Sequence, residues 1–203
     1  MALMQKYWDT RYDLQRYKTV CHCSYSDKEF EIKTKETRKV IIDHFKNLFT
    51  SKKVLDIGCG YGRLISILLL IASQVYGIDI SPWAITEARK HIKNATFDTY
   101  DGKTIPFSDG FFEGALSWTV LQHIPGDEIE NICREISRIL KPESALMLYE
   151  NTSTWIPDKP HIWFRSYEEY IALFHDFQIE YSDINLIEDN SNERHCLMVM
   201  RKR

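Results

Sequence analysis

A chain of 203 residues, 44% hydrophobic and 27% charged, can fill one well-cored domain but leaves little for a second. Its formal net charge of −3 excludes the basic footprint of a nucleic-acid binder. Its longest apolar run, Leu64 to Ala72 broken by Ser66, falls well short of the roughly 20 residues of a membrane span.

The N-terminal residues 1–34 are aromatic and charged, with Tyr7, Trp8, Tyr12, Tyr17 and Tyr25. Met1–Asp9 has no continuous apolar core, so no secretory leader is expected. Trp8 and Tyr12, with Gln15, recur at helical spacing, and the segment is expected to be a helical lid over residues 1–34. Residues 35–203 are expected to form a single domain. Cys21-His22-Cys23 lacks the spacer and the second pair of a zinc site, so no metal is expected. Five cysteines without paired spacing fit reduced thiols in a cytoplasmic protein.

Residues 35–49 predict a helix with Val40, Ile41, Phe45, Leu48 and Phe49 on one side. Strands are expected at 53–57, 75–79, 95–100, 112–118 and 144–150. Between them lie a strongly apolar helix at 63–73 and one from Ser81-Pro82 to about Lys93, with Ser81 as cap and Pro82 in the first turn. A third helix carries Ile129, Ile132, Ile136 and Ile139, is capped by Asp127 and is stopped by Lys141-Pro142. A loop at 155–160, a short helix at 167–176 and strands at 179–187 and 195–201, joined by a polar turn at 188–193, complete the chain. Strands alternating with helices imply an α/β fold, a Rossmann-like doubly wound sheet. Seven strands are expected, mostly parallel, with a C-terminal antiparallel hairpin because no helix separates the last two.

The chemistry gathers at strand C-termini, where open α/β sheets bind ligands. The first strand carries Asp56 and runs into Gly58-Cys59-Gly60-Tyr61-Gly62. Glycines there allow positive φ and close approach of a ligand to the backbone. An acid immediately before them would repel a pyrophosphate and suits a ligand with positive charge. Asp79, ending the second strand, is placed to accept hydrogen bonds from ribose hydroxyls. Asp101, just past the third, can reach an adenine amino group.

These residues resemble class I S-adenosylmethionine-dependent methyltransferases, in particular the small-molecule group that includes ubiquinone-biosynthesis enzymes. Val54-Leu55-Asp56-Ile57-Gly58-Cys59-Gly60-Tyr61-Gly62 is similar to that family's first motif, and Gly77-Ile78-Asp79-Ile80-Ser81 to its second. Asp101 before Pro106, Phe111-Phe112-Glu113, Leu121-Gln122-His123-Ile124 and Ile139-Leu140-Lys141-Pro142 continue the likeness over about residues 36–150. Glu113 stands for the usual Asp, Glu143-Ser144 for a Gly-Gly, and Ile105 for the usual Leu.

The resemblance implies S-adenosylmethionine as cofactor. Gly58, Cys59, Gly60 and Gly62 would border its methionine portion, and Asp56 its amino end. Asp79 would bind the ribose and Asp101 the adenine amine, with Ile80 or Gly102 flanking the ring. Ser117 would offer backbone to the amino group, and Trp118 or an N-terminal Tyr would face the sulfonium. Arg11 could pair with the cofactor carboxylate.

His123, after the fourth strand, is the candidate base; a histidine there can equally pin the loop before Pro125. Tyr7, Trp8, Tyr12, Trp155 and Trp163 are candidate acceptor contacts, with packing as the plain alternative. The acceptor is expected to be a small molecule methylated on oxygen or nitrogen, with neither nucleic acid nor membrane as partner. Two other functions compete: a non-catalytic cofactor-binding module, and a nicotinamide-dependent oxidoreductase. Asp56, the glycine spacing and the antiparallel ending disfavour the second. Composition and spacing do not fix the oligomeric state.

Overall fold

The computed structural model describes residues 2–15, 26–153, 161–184 and 194–203. The Cys21-His22-Cys23 cluster, Trp155 with the 155–160 loop, and the 188–193 turn lie outside the described residues. Seven strands form one sheet in the order β3-β2-β1-β4-β5-β7-β6. The chain divides into two compact units, 1–102 and 103–203.

The first unit opens with α1 (Ala2–Gln15) and α2 (Asp27–Val40). Ser26 starts α2 with a capping box: its side chain accepts from the Glu29 amide, and the Glu29 carboxylate accepts from the Ser26 amide at 2.7 Å. The helix therefore begins eight residues before the expected start at 35. It continues through a π-helical stretch (Ile41–Phe45) into α3 (Lys46–Phe49). Ile41, Phe45 and Phe49 are all buried, so the apolar stripe predicted for this helix is its packed face.

β1 (Lys53–Ile57), β2 (Gln74–Asp79) and β3 (Thr96–Thr99) pair in parallel. The apolar segment after the glycines is not the long helix expected. Only α4 (Ile65–Leu68) is regular, flanked by turns. Bonds of three-residue span, such as Ile67 N–H to Leu64 O and Leu70 N–H to Ile67 O, mix with four-residue ones. α5 (Pro82–His91) follows the expected pattern, with the Ser81 hydroxyl accepting from the Ala84 amide and Pro82 in the first turn.

In the second unit β4 (Phe112–Trp118) pairs in parallel with β5 (Leu140–Asn151). α6 (Ile129–Ile139) buries all four predicted isoleucines. Two local expectations fail. Glu128, not Asp127, caps α6, and no side chain bonds the free amides there. Lys141-Pro142 does not separate helix from strand: β5 starts at Leu140, directly after the helix. The irregular start absorbs the proline, with Glu143 at φ 63 and a register shift opposite Phe112/Gly114. α7 (Tyr167–Leu173) precedes β6 (Phe177–Asp183), which pairs antiparallel with β7 (His195–Lys202), and β7 with β5. The antiparallel ending expected from the sequence is present.

Candidate active site

Within residues 1–102 the glycine loop leaves β1 with positive φ at Gly58 (71°), Gly60 (55°) and Gly62 (96°). Such a path favours glycine, and it folds the backbone back on itself. The Gly58 and Cys59 amides both donate to the Ile78 carbonyl, at 2.8 and 2.9 Å, tying the loop to the end of β2. The Cys59 side chain packs against Gly77, where an added Cβ would lie 2.7 Å from the sulfur.

Asp79 is the hub of this loop. Its carboxylate accepts from the Gly60 amide and the Ser81 amide, each at 2.9 Å. Burial pushes its pKa up to about 6, against the pull of those amides and with a further push from Asp9. Asp56 is only 2% exposed, and its Oδ2 accepts no hydrogen bond. Burial pushes its pKa up to about 8; Arg63 pulls it down and Asp79 pushes it up. Arg63 is itself buried, with Nη1 donating to Thr37 Oγ1 at 3.4 Å. Two buried acids beside one arginine leave the site short of positive charge.

Asp101 is exposed just past β3, and Gly102 is buried at φ 75. Ile80 is half-buried, and its amide also hydrogen-bonds Asp79.

α1 lies against the start of α5. The Ser81 hydroxyl donates to the Asp9 carboxylate, and Tyr12 is buried and stacked on Trp83 at 5.4 Å between centroids. Burial, then the charge of Asp79, holds the Tyr12 phenol well above its usual range, so it stays neutral beside that acid. Tyr7, Trp8 and Arg11 form their own cluster on α1. The guanidinium lies 5.5 and 5.4 Å from the two ring centroids and donates to the Tyr7 hydroxyl at 2.6 Å.

Within residues 103–203 the site is a turn. After Trp118 the chain reverses at Thr119 (φ 57) into a 3₁₀ turn, Leu121–His123. Glu150, fully buried near the end of β5, holds the amide side of that turn. Its carboxylate accepts from Ser117 Oγ at 3.0 Å and from the amides of Val120, Leu121 and Gln122 at 3.1, 3.1 and 3.2 Å. Burial raises its pKa to about 7, and these donors hold it from going higher. Arg165, also buried, holds the carbonyl side, donating to Leu121 O at 3.0 Å and Ile124 O at 2.7 Å.

His123 is half-buried, with Nδ1 2.8 Å from the His161 carbonyl and Nε2 3.3 Å from the Gln122 amide nitrogen. Trp163 is half-buried, and its amide donates to Gln122 O at 2.7 Å. Trp118 stacks on Tyr149 at 4.3 Å, and Tyr149 on His195 at 5.3 Å.

The structure thus brings Asp56, the glycine loop, Asp79 and Tyr12 together in the first unit; in the second, Glu150 ties Ser117 to the turn that carries His123, while Trp118 stacks on Tyr149. The sequence reading missed Arg63, Asp9, Gln122 and Glu150, and weighed Arg165 only as packing or an acceptor contact. Glu150 carried the signal that revealed Asp56 and Asp79, a lone acid near the end of an apolar strand. The others show themselves only through partners distant in the chain.

Comparison with known proteins agrees with this geometry. Residues 54–143 match a family model described as a methyltransferase domain. An uncharacterised methyltransferase of Synechocystis is 29% identical over 107 residues, covering 52% of this chain and 50% of that protein. The mitochondrial ubiquinone biosynthesis O-methyltransferase of Schizosaccharomyces pombe is 32% identical over 114 residues, covering 51% of this chain and 39% of that protein. The chain therefore spans about half or less of the length of these two relatives. The crystal structure of the PH0226 protein from Pyrococcus horikoshii OT3 shares the fold, with TM-score 0.72 at 22% identity, covering 96% of this chain and 99% of that one.

The donor set fits S-adenosylmethionine, the cofactor that the resemblance implies. The unpartnered Asp56 oxygen matches an ammonium, and Asp79 a pair of hydroxyls. On the motif and the domain match, residues 54–143 are a methyltransferase domain, similar to those of the class I S-adenosylmethionine-dependent methyltransferases.

Proposed function

We propose that this chain transfers a methyl group from S-adenosylmethionine to an oxygen or nitrogen of a small-molecule acceptor. The observation that carries the reading is the buried Asp56 carboxylate, whose Oδ2 accepts no hydrogen bond at the foot of the glycine loop. A buried acid without its full set of partners is costly unless a cation or donor completes it. The bound cofactor supplies an ammonium at one end and an activated methyl at its sulfonium. Asp56 and Arg63 then hold the charged methionine end, Asp79 accepts from the ribose, and Asp101 accepts from the adenine amine. The chain's own work is mainly positioning, since a sulfonium needs no further activation. His123 takes the proton from a hydroxyl or ammonium acceptor. α1 serves as the lid, with Tyr7, Trp8 and Tyr12 toward the acceptor and Arg11 toward the cofactor carboxylate.

The name of the Schizosaccharomyces relative, an O-methyltransferase of ubiquinone biosynthesis, supports a small-molecule acceptor methylated on oxygen. Calorimetric titration with S-adenosylmethionine, S-adenosylhomocysteine and NAD tests the cofactor. The first two should bind in the micromolar range and NAD not at all. Asp79→Asn should weaken both by about tenfold or more, the loss of one charge-assisted hydrogen bond. Unchanged binding would remove the ribose contact from the proposal. A radiolabelled-methyl screen of cell extracts then tests turnover, and labelling of nothing would favour a non-catalytic module.

A further inference from the structure

α1 adds a third acid to the pair formed by Asp56 and Asp79. Ser81 makes the junction: its amide donates to Asp79 Oδ1 at 2.9 Å, and its hydroxyl donates to the Asp9 carboxylate. That hydroxyl already accepts from the Ala84 amide at 3.2 Å, so its one proton is free for Asp9. One residue therefore holds two carboxylates close together, and the charge of Asp9 is felt at Asp79. Asp79 is felt in turn at Asp56, so the three acids form a chain of like charges. Asp56 and Asp79 are buried and Asp9 is half-buried.

Two cations bear on this group. Arg63 acts on Asp56, and Arg11 acts on Tyr12, which is itself buried beside Asp79. With its acids ionised the cluster is one positive charge short, before the exposed Asp101 is counted. Asp56 Oδ2, buried and without a hydrogen-bond partner, points the same way: what completes it is a cation or donor from outside the fold. The two forms of the cofactor differ in this respect. S-adenosylmethionine carries an ammonium, a carboxylate and a sulfonium, and is a net cation. S-adenosylhomocysteine lacks the sulfonium charge and is net neutral. In a partly buried site that difference is screened less than in water.

We infer, on the cofactor proposed above, that Asp9 is a specificity-determining residue whose charge makes the site prefer the cationic cofactor to its neutral product. Asp9 does not cap α5, since the Ser81 oxygen does so, and Asp79 already has the Gly60 and Ser81 amides. What Asp9 adds is a negative charge from α1. When the ligand loses its positive charge, Asp9 and Asp79 face each other with less compensation, and the site holds the product less firmly.

Calorimetry with three ligands tests this: S-adenosylmethionine, S-adenosylhomocysteine and sinefungin, in which an amine-bearing carbon replaces the methylated sulfur. Sinefungin is cationic like the cofactor and has no methyl to transfer. Asp9→Asn keeps an oxygen for the Ser81 hydroxyl and removes the charge. Its affinities for S-adenosylmethionine and sinefungin, each taken relative to S-adenosylhomocysteine, should fall by roughly threefold or more. Asp9→Glu keeps the charge and should keep most of the preference. An unchanged ratio in Asp9→Asn overturns the inference. An equal loss for all three ligands also overturns it, because Asp9 would then only dock α1. A fall for S-adenosylmethionine without one for sinefungin overturns it too, since charge would not be the cause. If the folded wild type binds none of the three, the cofactor reading itself fails, a result seen without any variant.

Discussion

Asp56 is a residue whose cost in the empty protein should be its use in the bound one. Its pKa is pushed up to about 8, so the folded chain keeps a proton there that the unfolded chain loses above about pH 4. Because the folded form binds the extra proton, this site's contribution to stability falls as pH rises from about 4 to about 8. Asp56→Asn removes that dependence. In denaturant titrations without cofactor the variant should match wild type near pH 4 and exceed it at pH 9 by at least about 1 kcal/mol. Parallel curves would refute the burial argument. Binding should run the other way. An ammonium needs the carboxylate ionised, so wild-type affinity for S-adenosylhomocysteine should rise by up to about tenfold per pH unit between 6 and 8. The stabilised variant should bind at least tenfold more weakly at pH 8. Asp56 and Asp79 were legible in the sequence because each is a lone acid in an apolar strand next to glycine. Glu150, also an acid near the end of an apolar strand, passed unread because its work is done on amides about 30 residues earlier. The bonds that Arg165 makes were equally illegible: its partners Leu121 O and Ile124 O lie more than 40 residues away.

At the scale of elements, the segments that strayed from expectation are those where local hydrogen bonding competes with the α pattern. Ile41, Phe45 and Phe49 recur every four residues, a spacing that drifts around a regular α-helix, and the wide π turn between them keeps all three buried. The glycine loop similarly draws the start of the next helix into turns, leaving α4 one turn long. Where a cap and a proline agree, as at Ser81-Pro82, prediction and structure coincide. That cap also receives α1. Ser81 Oγ accepts from the Ala84 amide while donating to Asp9, so one hydroxyl joins a helix start to the candidate lid. Ser81→Ala should lose both bonds and about 1 kcal/mol for the cap, lowering Tm by roughly 2–4 °C. Asp9→Ala keeps the cap, so its Tm should fall less, while limited proteolysis should release α1 in both variants at equal rates. Protection of α1 in Asp9→Ala would show that Tyr12 on Trp83 holds the helix without the Ser81 bond.

For the molecule as a whole, the sheet runs β3-β2-β1-β4-β5-β7-β6 and has the antiparallel ending expected from the sequence. Burial fits that order, because β3 and β6 at the two edges are mostly exposed while β4 and β7 are mostly buried. The acids proposed to hold the cofactor, Asp56, Asp79 and Asp101, all belong to the unit 1–102. A ligand that binds only the folded form stabilises it by about 2.7 kcal/mol at a hundredfold excess over Kd. For a chain of this length that is a Tm rise of roughly 5–11 °C with S-adenosylhomocysteine. Hydrogen exchange should show where the stabilisation enters. Amides of the glycine loop and of residues 79–81 and 101–102 should slow on binding, since Gly60 and Ser81 already donate to the acid that would take up the ribose. Asp79→Asn at the same ligand concentration should lose about half or more of the Tm rise, together with added protection at 58–62. A full Tm rise without slowing at those amides would place the cofactor elsewhere in the chain and overturn the assignment of the glycine loop.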